Sequence, residues 1–303
     1  MPRELRNIGA SVRARLLARA RAEQTDFQIL LTRYALERLL YRFSVSDQRE
    51  RFVLKGAMLF AIWQNDLFRP TRDLDLLGHG DPDPAMVAAT VRSICSVEVP
   101  DDGVVFDVAG IEAAPIRGED EYPGVRVRTG ATISGARLPI QIDVGFGDVI
   151  TPEAIDIEYP ALLDAPAPIL RAYPPETVVA EKTEAIVSLG IGNSRMKDFY
   201  DLWTMAQTFE FEGDDLAEAM RRTFERRRTA LPEQLPVGLS DSFALERGTQ
   251  WRAFLARDRL EVAPASFAQI IDDLRTFLQP VLVRTEIASW PPGGPWTLLE
   301  VAP

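Results

Sequence analysis

Arg72-Asp73-Leu74-Asp75-Leu76-Leu77-Gly78 is the stretch on which the reading of this chain turns. From Asp73 to Leu76, carboxylate and leucine alternate, which is the two-residue period of a strand with one polar and one apolar face. Asp73 and Asp75 are expected to point the same way, while Leu74 and Leu76 enter a core. Two adjacent carboxylates repel each other unless a cation lies between them. Hard divalent cations such as Mg²⁺, or Mn²⁺ in its place, take oxygen ligands of this kind together with substrate phosphates. Two such ions can clamp the attacking and leaving oxygens of a phosphoryl displacement. A bare Asp-x-Asp also occurs on exposed strand edges, so the remaining parts of a site must be sought elsewhere in the chain.

Moving outward, Gln141-Ile142-Asp143-Val144-Gly145 repeats the alternation. Ile140, Ile142 and Val144 form its apolar face, so Asp143 offers a third carboxylate, as metal ligand or as acceptor for the proton of an incoming hydroxyl. A solvent-facing Asp at a strand end is the plainer alternative. Lys182 falls between Val178 and Ala185 on the apolar stripe of a helix expected over 176–189. There it either snorkels to the surface or presents its ammonium to a triphosphate. In Arg195-Met196-Lys197-Asp198-Phe199-Tyr200-Asp201-Leu202-Trp203, Asp198 and Asp201 stand one helical turn apart. Ser194 is a candidate N-cap. Either carboxylate could orient Lys182 or help hold a nucleotide. His79, the single histidine, reads as a loop residue.

The chain has 303 residues, 46% of them hydrophobic and 26% charged, with a net charge of -11. We expect an α+β protein in three parts: N-terminal helices over 1–45 packing on the core, a catalytic core over 46–170, and a C-terminal helical domain over 171–303. Helical periodicity runs from Ile8 to about Phe43. A helix follows Pro84, and short alternating strands occupy 104–148. A Pro-rich connection leads to helices as far as Leu278, with a loop at 231–239 and an extended arm at 290–296. The acidic balance argues against a protein that coats nucleic acid. Two basic stretches qualify this: Arg3, Arg6, Arg13, Arg15, Arg19 and Arg21, and then Arg221, Arg222, Arg226, Arg227 and Arg228. They are either solvated helix faces or RNA contacts. Acidic loops hold Asp81, Asp83, Asp101, Asp102, Glu119, Asp120 and Glu121. A single cysteine, Cys95, excludes an internal disulfide and is expected to be a buried small apolar residue in a reducing cytoplasm. No apolar run approaches the roughly 18 residues of a membrane span, and the basic N-terminus lacks the apolar core of a secretory signal. One His and one Cys give little support to a Ser-His-Asp or Cys-His hydrolase, and no P-loop or strand-linked dinucleotide motif is present.

Taken together, Phe27 to Leu40, Phe52 to Phe60 with Lys55-Gly56, Arg69 to Leu76, Ile142 to Asp148, Ala180-Glu181-Lys182 and Arg195 to Leu202 resemble the AbiEii/AbiGii toxin family of nucleotidyltransferases, in that family's order and over most of the chain. The resemblance implies a polymerase-β-like nucleotidyltransferase core, a mixed sheet flanked by helices, followed by a helical domain. It implies Gly56 as the turn that lets backbone approach nucleotide phosphates, Asp73 and Asp75 as metal ligands, and Lys182 with Asp198 or Asp201 completing the site. It also implies an NTP substrate, an RNA acceptor such as the tRNA 3′ end with translation blocked as the outcome, and a cognate antitoxin. The wider superfamily has Gly-Ser and a shorter spacer where this chain has Gly56-Ala57, so a phosphate contact passes to Lys55, to backbone amides or to Thr71.

Two rival readings stand beside this one. A glycosyltransferase could use Asp-x-Asp to hold a sugar nucleotide, but it leaves Gly56, Lys182 and the Asp198 region without a role. A non-catalytic regulator could keep the same fold and bind nucleotide without turnover.

Overall fold

The computed structural model describes residues 7–63, 71–116, 123–283 and 287–298. Arg3, Arg6, Arg69-Pro70 and the acidic Glu119, Asp120 and Glu121 lie outside them. The chain divides into two compact units, Met1–Gly147 with Ile155–Ala172, and Asp148–Ala154 with Tyr173–Pro303.

In the first unit, helices α1 (Ile8–Ala22) and α2 (Phe27–Val45) occupy the long periodic segment. The break between them has a local cause. Gln24 sits at φ 52°, and Asp26 caps α2 by accepting from the Gln28 and Ile29 amides at 2.7 and 3.2 Å. Strand β1 (Phe52–Lys55) leads through a 3₁₀ turn (Gly56–Leu59) into the single-turn helix α3 (Phe60–Trp63). Then come β2 (Asp73–Gly78), α4 (Pro84–Cys95), β3 (Val105–Phe106), β4 (Glu112–Pro115), β5 (Gly124–Ile133), β6 (Ala136–Phe146), β7 (Ile155–Glu158) and β8 (Ile169–Ala172). Among the described residues these strands form an eight-stranded sheet in the order β3-β5-β6-β2-β1-β8-β7, with β4 also on β5. The sheet is mixed: β2 runs parallel to β6 and antiparallel to β1, and β8 runs parallel to β1.

The Asp-x-Asp strand thus lies at the middle of the sheet. Its core face is fully apolar. Leu74, Val127, Ile142 and Val144 are 0% exposed, and α1, α2 and α4 pack against the strands. Each such side chain contributes about 1.5–3 kcal/mol by leaving water. Cys95 is buried at the end of α4, where burial pushes its thiol up to about 12.

The expected Pro-rich connection contains structure that local pattern did not reveal, because β7 and β8 are four residues each and join the sheet only where β8 meets the distant β1. The irregular chain between them is clamped to α2. Glu37 accepts from the Leu162 amide at 2.7 Å, Arg38 donates to the Pro166 carbonyl at 2.9 Å, and the two side chains pair at 2.7 Å with no exposure.

In the second unit, α5 (Pro175–Leu189), α6 (Met196–Thr208), α7 (Gly213–Arg226), α8 (Asp241–Asp258) and α9 (Phe267–Leu282) surround an aromatic core. Trp251 stacks on Phe267 with centroids 5.2 Å apart, and Phe199 meets Phe243 and Phe267 at 5.7 and 5.2 Å. The expected terminal arm is docked. Ser289–Trp290 (β10) pairs with Phe211–Glu212 (β9), and Trp296 stacks on Phe277. Buried indoles need an acceptor for their N–H, and Trp290 and Trp296 find theirs in the Ala206 and Phe277 carbonyls at 2.7 and 2.8 Å. Ser194 does not cap α6. The cap position is Arg195 without a side-chain cap, and the Asn193 side chain accepts the Arg195 amide at 2.8 Å.

Candidate active site

Register across the sheet turns isolated sequence signals into one arrangement. Asp75 lies opposite Asp143 on β6 and opposite Lys55 on β1, and Asp143 lies opposite Arg126 on β5. Directly paired residues share a face, so Lys55, Asp75, Asp143 and Arg126 form a row of charges across four strands: cation, anion, anion, cation. One step along, Asp73 faces Gln141, and Gln141 faces Arg128. At about 4.8 Å between strands, the repulsion of Asp75 and Asp143 is on the order of 3 kcal/mol at an effective dielectric of 20. The flanking cations offset it.

Gly56 is required twice over. Its φ of 73° is in the left-handed region, where a side chain is disfavoured. A Cβ there would also lie 2.7 Å from the Asp75 Cβ and Cγ and overlap its Oδ2. Backbone at Gly56 thus packs directly on the carboxyl of Asp75. Thr71 braces the strand entrance, with its hydroxyl 3.2 Å from the Asp73 carbonyl and 3.4 Å from the Asp73 amide. His79 is exposed just past the strand, its amide bonded to the Arg51 carbonyl at 2.9 Å.

Asp143 stands on the expected strand and face, and both of its oxygens are engaged. Arg126 donates from Nε to Oδ1 at 2.8 Å and from Nη2 to Oδ2 at 2.6 Å, the paired fork that makes Arg–carboxylate contacts strong. The hydrogen bond to Asp143 raises the guanidinium above its ordinary value, and the fields of Asp143, Asp73 and Asp75 add to this against the opposing effect of burial. Arg126 was missed by sequence reading. Its signal is faint, an arginine on the polar side of the Val125-Arg126-Val127-Arg128 alternation, and only register shows which carboxylate it meets.

Oxygen donors are the chemistry a hard cation takes, and Asp73 and Asp75, two residues apart on one face of β2, offer donors of that kind. Among the described residues no group of three or more His, Cys, Asp or Glu stands where it could hold a metal.

In the second unit, Lys182 neither snorkels nor stands alone. Its Nζ lies 2.8 Å from both Asp198 Oδ1 and Asp201 Oδ2. The lysine side chain is 14% exposed and that of Asp201 0%. Helix α6 presents both Asp198 and Asp201, one turn apart, to the same ammonium. A second buried cluster adjoins on α5. Arg227 pairs with Asp148, Glu181 and Glu184 at 3.2, 3.3 and 2.9 Å, and Thr229 donates to Glu184.

Several arginines of the two basic stretches meet the chain's own acceptors. Arg15 pairs with Asp164, and Arg19 with Glu23. Arg221 and Arg222 both pair with Glu218. For these arginines the charge is met within the protein, by side chains that are partly exposed.

No curated protein matches the chain. Two solved Helicobacter pylori structures are similar to it in shape. JHP933 is 15% identical, with a TM-score of 0.48 over 86% of this chain and 93% of that one. A candidate nucleotidyltransferase is 14% identical, with a TM-score of 0.49 over 86% and 96%. No helix among the described residues is long and apolar enough to cross a membrane. The sequence profile described as nucleotidyl transferase AbiEii toxin, type IV TA system, matches residues 38–277, a span that takes in the Asp73–Asp75 strand, Asp143, Arg126 and the Lys182 pair, and the chain therefore belongs to the AbiEii nucleotidyltransferase toxins.

Proposed function

We propose that the protein transfers a nucleoside monophosphate from an NTP to an RNA hydroxyl, with the tRNA 3′ end as acceptor and blocked translation as the consequence. Family membership implies a nucleotide substrate and an antitoxin partner. The observation that carries the rest is the charge row, in which Asp75, packed on the Gly56 backbone, lies beside Asp143 at the centre of the sheet.

Asp73 and Asp75 would hold Mg²⁺ or Mn²⁺. Such an ion, when bound, neutralises charge on the phosphoryl group and its leaving pyrophosphate. Gly56 keeps the adjoining backbone free of any side chain, so phosphate oxygens can approach it. Lys55, at the cationic end of the row, and Thr71, at the strand entrance, are the candidate phosphate contacts. Asp143 is either a third ligand or the acceptor of the hydroxyl proton, and in either role at least one of its oxygens must give up its hydrogen bond from Arg126. The family resemblance gives Lys182 the role of contacting the triphosphate, and within the second unit its ammonium is held by Asp198 and Asp201.

Purified protein incubated with Mg²⁺, each labelled NTP and bulk tRNA should label the RNA. The Asp73→Asn variant should lose at least about 100-fold of that rate, the scale of one essential electrostatic contact. Absence of label with every NTP, or equal labelling by the variant, overturns the proposal.

A further inference from the structure

Of the three strand carboxylates, Asp143 has a protein cation on both oxygens. The contact is a closed fork, part-buried, with the Asp143 side chain 18% exposed and that of Arg126 35% exposed. A third donor, the Gln141 side-chain amide, lies 3.4 Å from Oδ2. A carboxylate so occupied presents few lone pairs to anything else. Arg126 sits one strand beyond Asp143, at the end of the row, so its charge also reaches Asp73 and Asp75.

Resting on the transferase reading, we propose that Arg126 is the resident counter-ion of Asp143. In the nucleotide-free protein it keeps Asp143 out of cation binding. Asp143 becomes available when the guanidinium is drawn to a competing anion, and a triphosphate offers the same oxygen geometry as a carboxylate. Arg126 is thus a positioning residue that links the third carboxylate to the arrival of nucleotide.

The test is Mn²⁺ binding to the full chain without nucleotide, read by electron paramagnetic resonance. Asp143→Asn in the wild-type background should change the affinity by less than about twofold. Arg126→Gln should raise it at least about tenfold, which corresponds to about 1.4 kcal/mol, and adding Asp143→Asn to Arg126→Gln should abolish that gain. Arg128→Gln removes a charge from the same strand face without touching Asp143. A gain of the same size there would mean general electrostatics and overturn the proposal. So would an Arg126→Gln affinity no higher than wild type, whether both bind or neither does, or a gain that survives loss of Asp143. Arg126→Lys keeps the charge but loses the fork, and should give a smaller gain. If Arg126→Gln fails to fold, the lysine variant with and without Asp143→Asn decides. The transferase reading fails separately, if Asp73→Asn leaves both RNA labelling and Mn²⁺ binding untouched.

Discussion

Gly56 shows how much a single residue can be constrained. Its left-handed backbone and its contact with the Asp75 carboxyl are independent reasons for the absence of a side chain. Gly56→Ala should therefore cost about 1–3 kcal/mol from strain and overpacking, measured by urea unfolding. It should lower RNA labelling by more than the stability loss explains, because the displaced group is Asp75 itself. A variant as stable and active as wild type would remove Gly56 from the site. Lys182 carries a different lesson. The stripe position of this lysine and its candidate partners Asp198 and Asp201 were legible in the sequence, but that both carboxylates meet the one ammonium was not, because they belong to another helix.

At the scale of elements, helices were easier to read than strands. The periodicity of α2, α4 and α5 is local and survives inspection of any window. Strands β1, β7 and β8 are four residues each, and β8 is tied to the sheet through β1, more than a hundred residues away in sequence, so no local window contains the reason they exist. The terminal segment makes the same point. Pro291, Pro292 and Pro295 rule out a helix, which is all that sequence could say. Docking came from Trp290 and Trp296, which settle on Phe277 and satisfy their N–H groups with carbonyls. Trp290, 3% exposed, should behave as core: Trp290→Ala should destabilise the protein by about 3–5 kcal/mol, seen as a lowered melting temperature. A loss under about 0.5 kcal/mol, the range of a surface substitution, would return the segment to the status of a loose arm.

For the whole molecule, the net charge of -11 and the local pairing of the arginines bear on how it meets an RNA acceptor. Arg15, Arg19, Arg221 and Arg222 already have carboxylate partners that compete with phosphate for their guanidinium groups. RNA affinity should therefore be modest and weakly salt-dependent, with a slope of log affinity on log salt of about -2 or shallower. Binding measured between low and moderate salt checks this, and a slope steeper than about -5 would mean that the Glu218 and Asp164 pairs open to release their arginines to phosphate.

By itself the sequence determined the α+β class, the helical second half, the polar face of the Asp73–Asp75 strand and the family, because alternation, helical period and ordered motifs are properties of neighbouring residues. Only the tertiary structure decided which charges meet. Asp75 lies beside Asp143 and Lys55, Asp143 is held by Arg126, and Lys182 sits between two carboxylates. Strand register and helix packing bring together residues far apart in the chain, and a shift of one residue in register would turn each of these side chains to the opposite face.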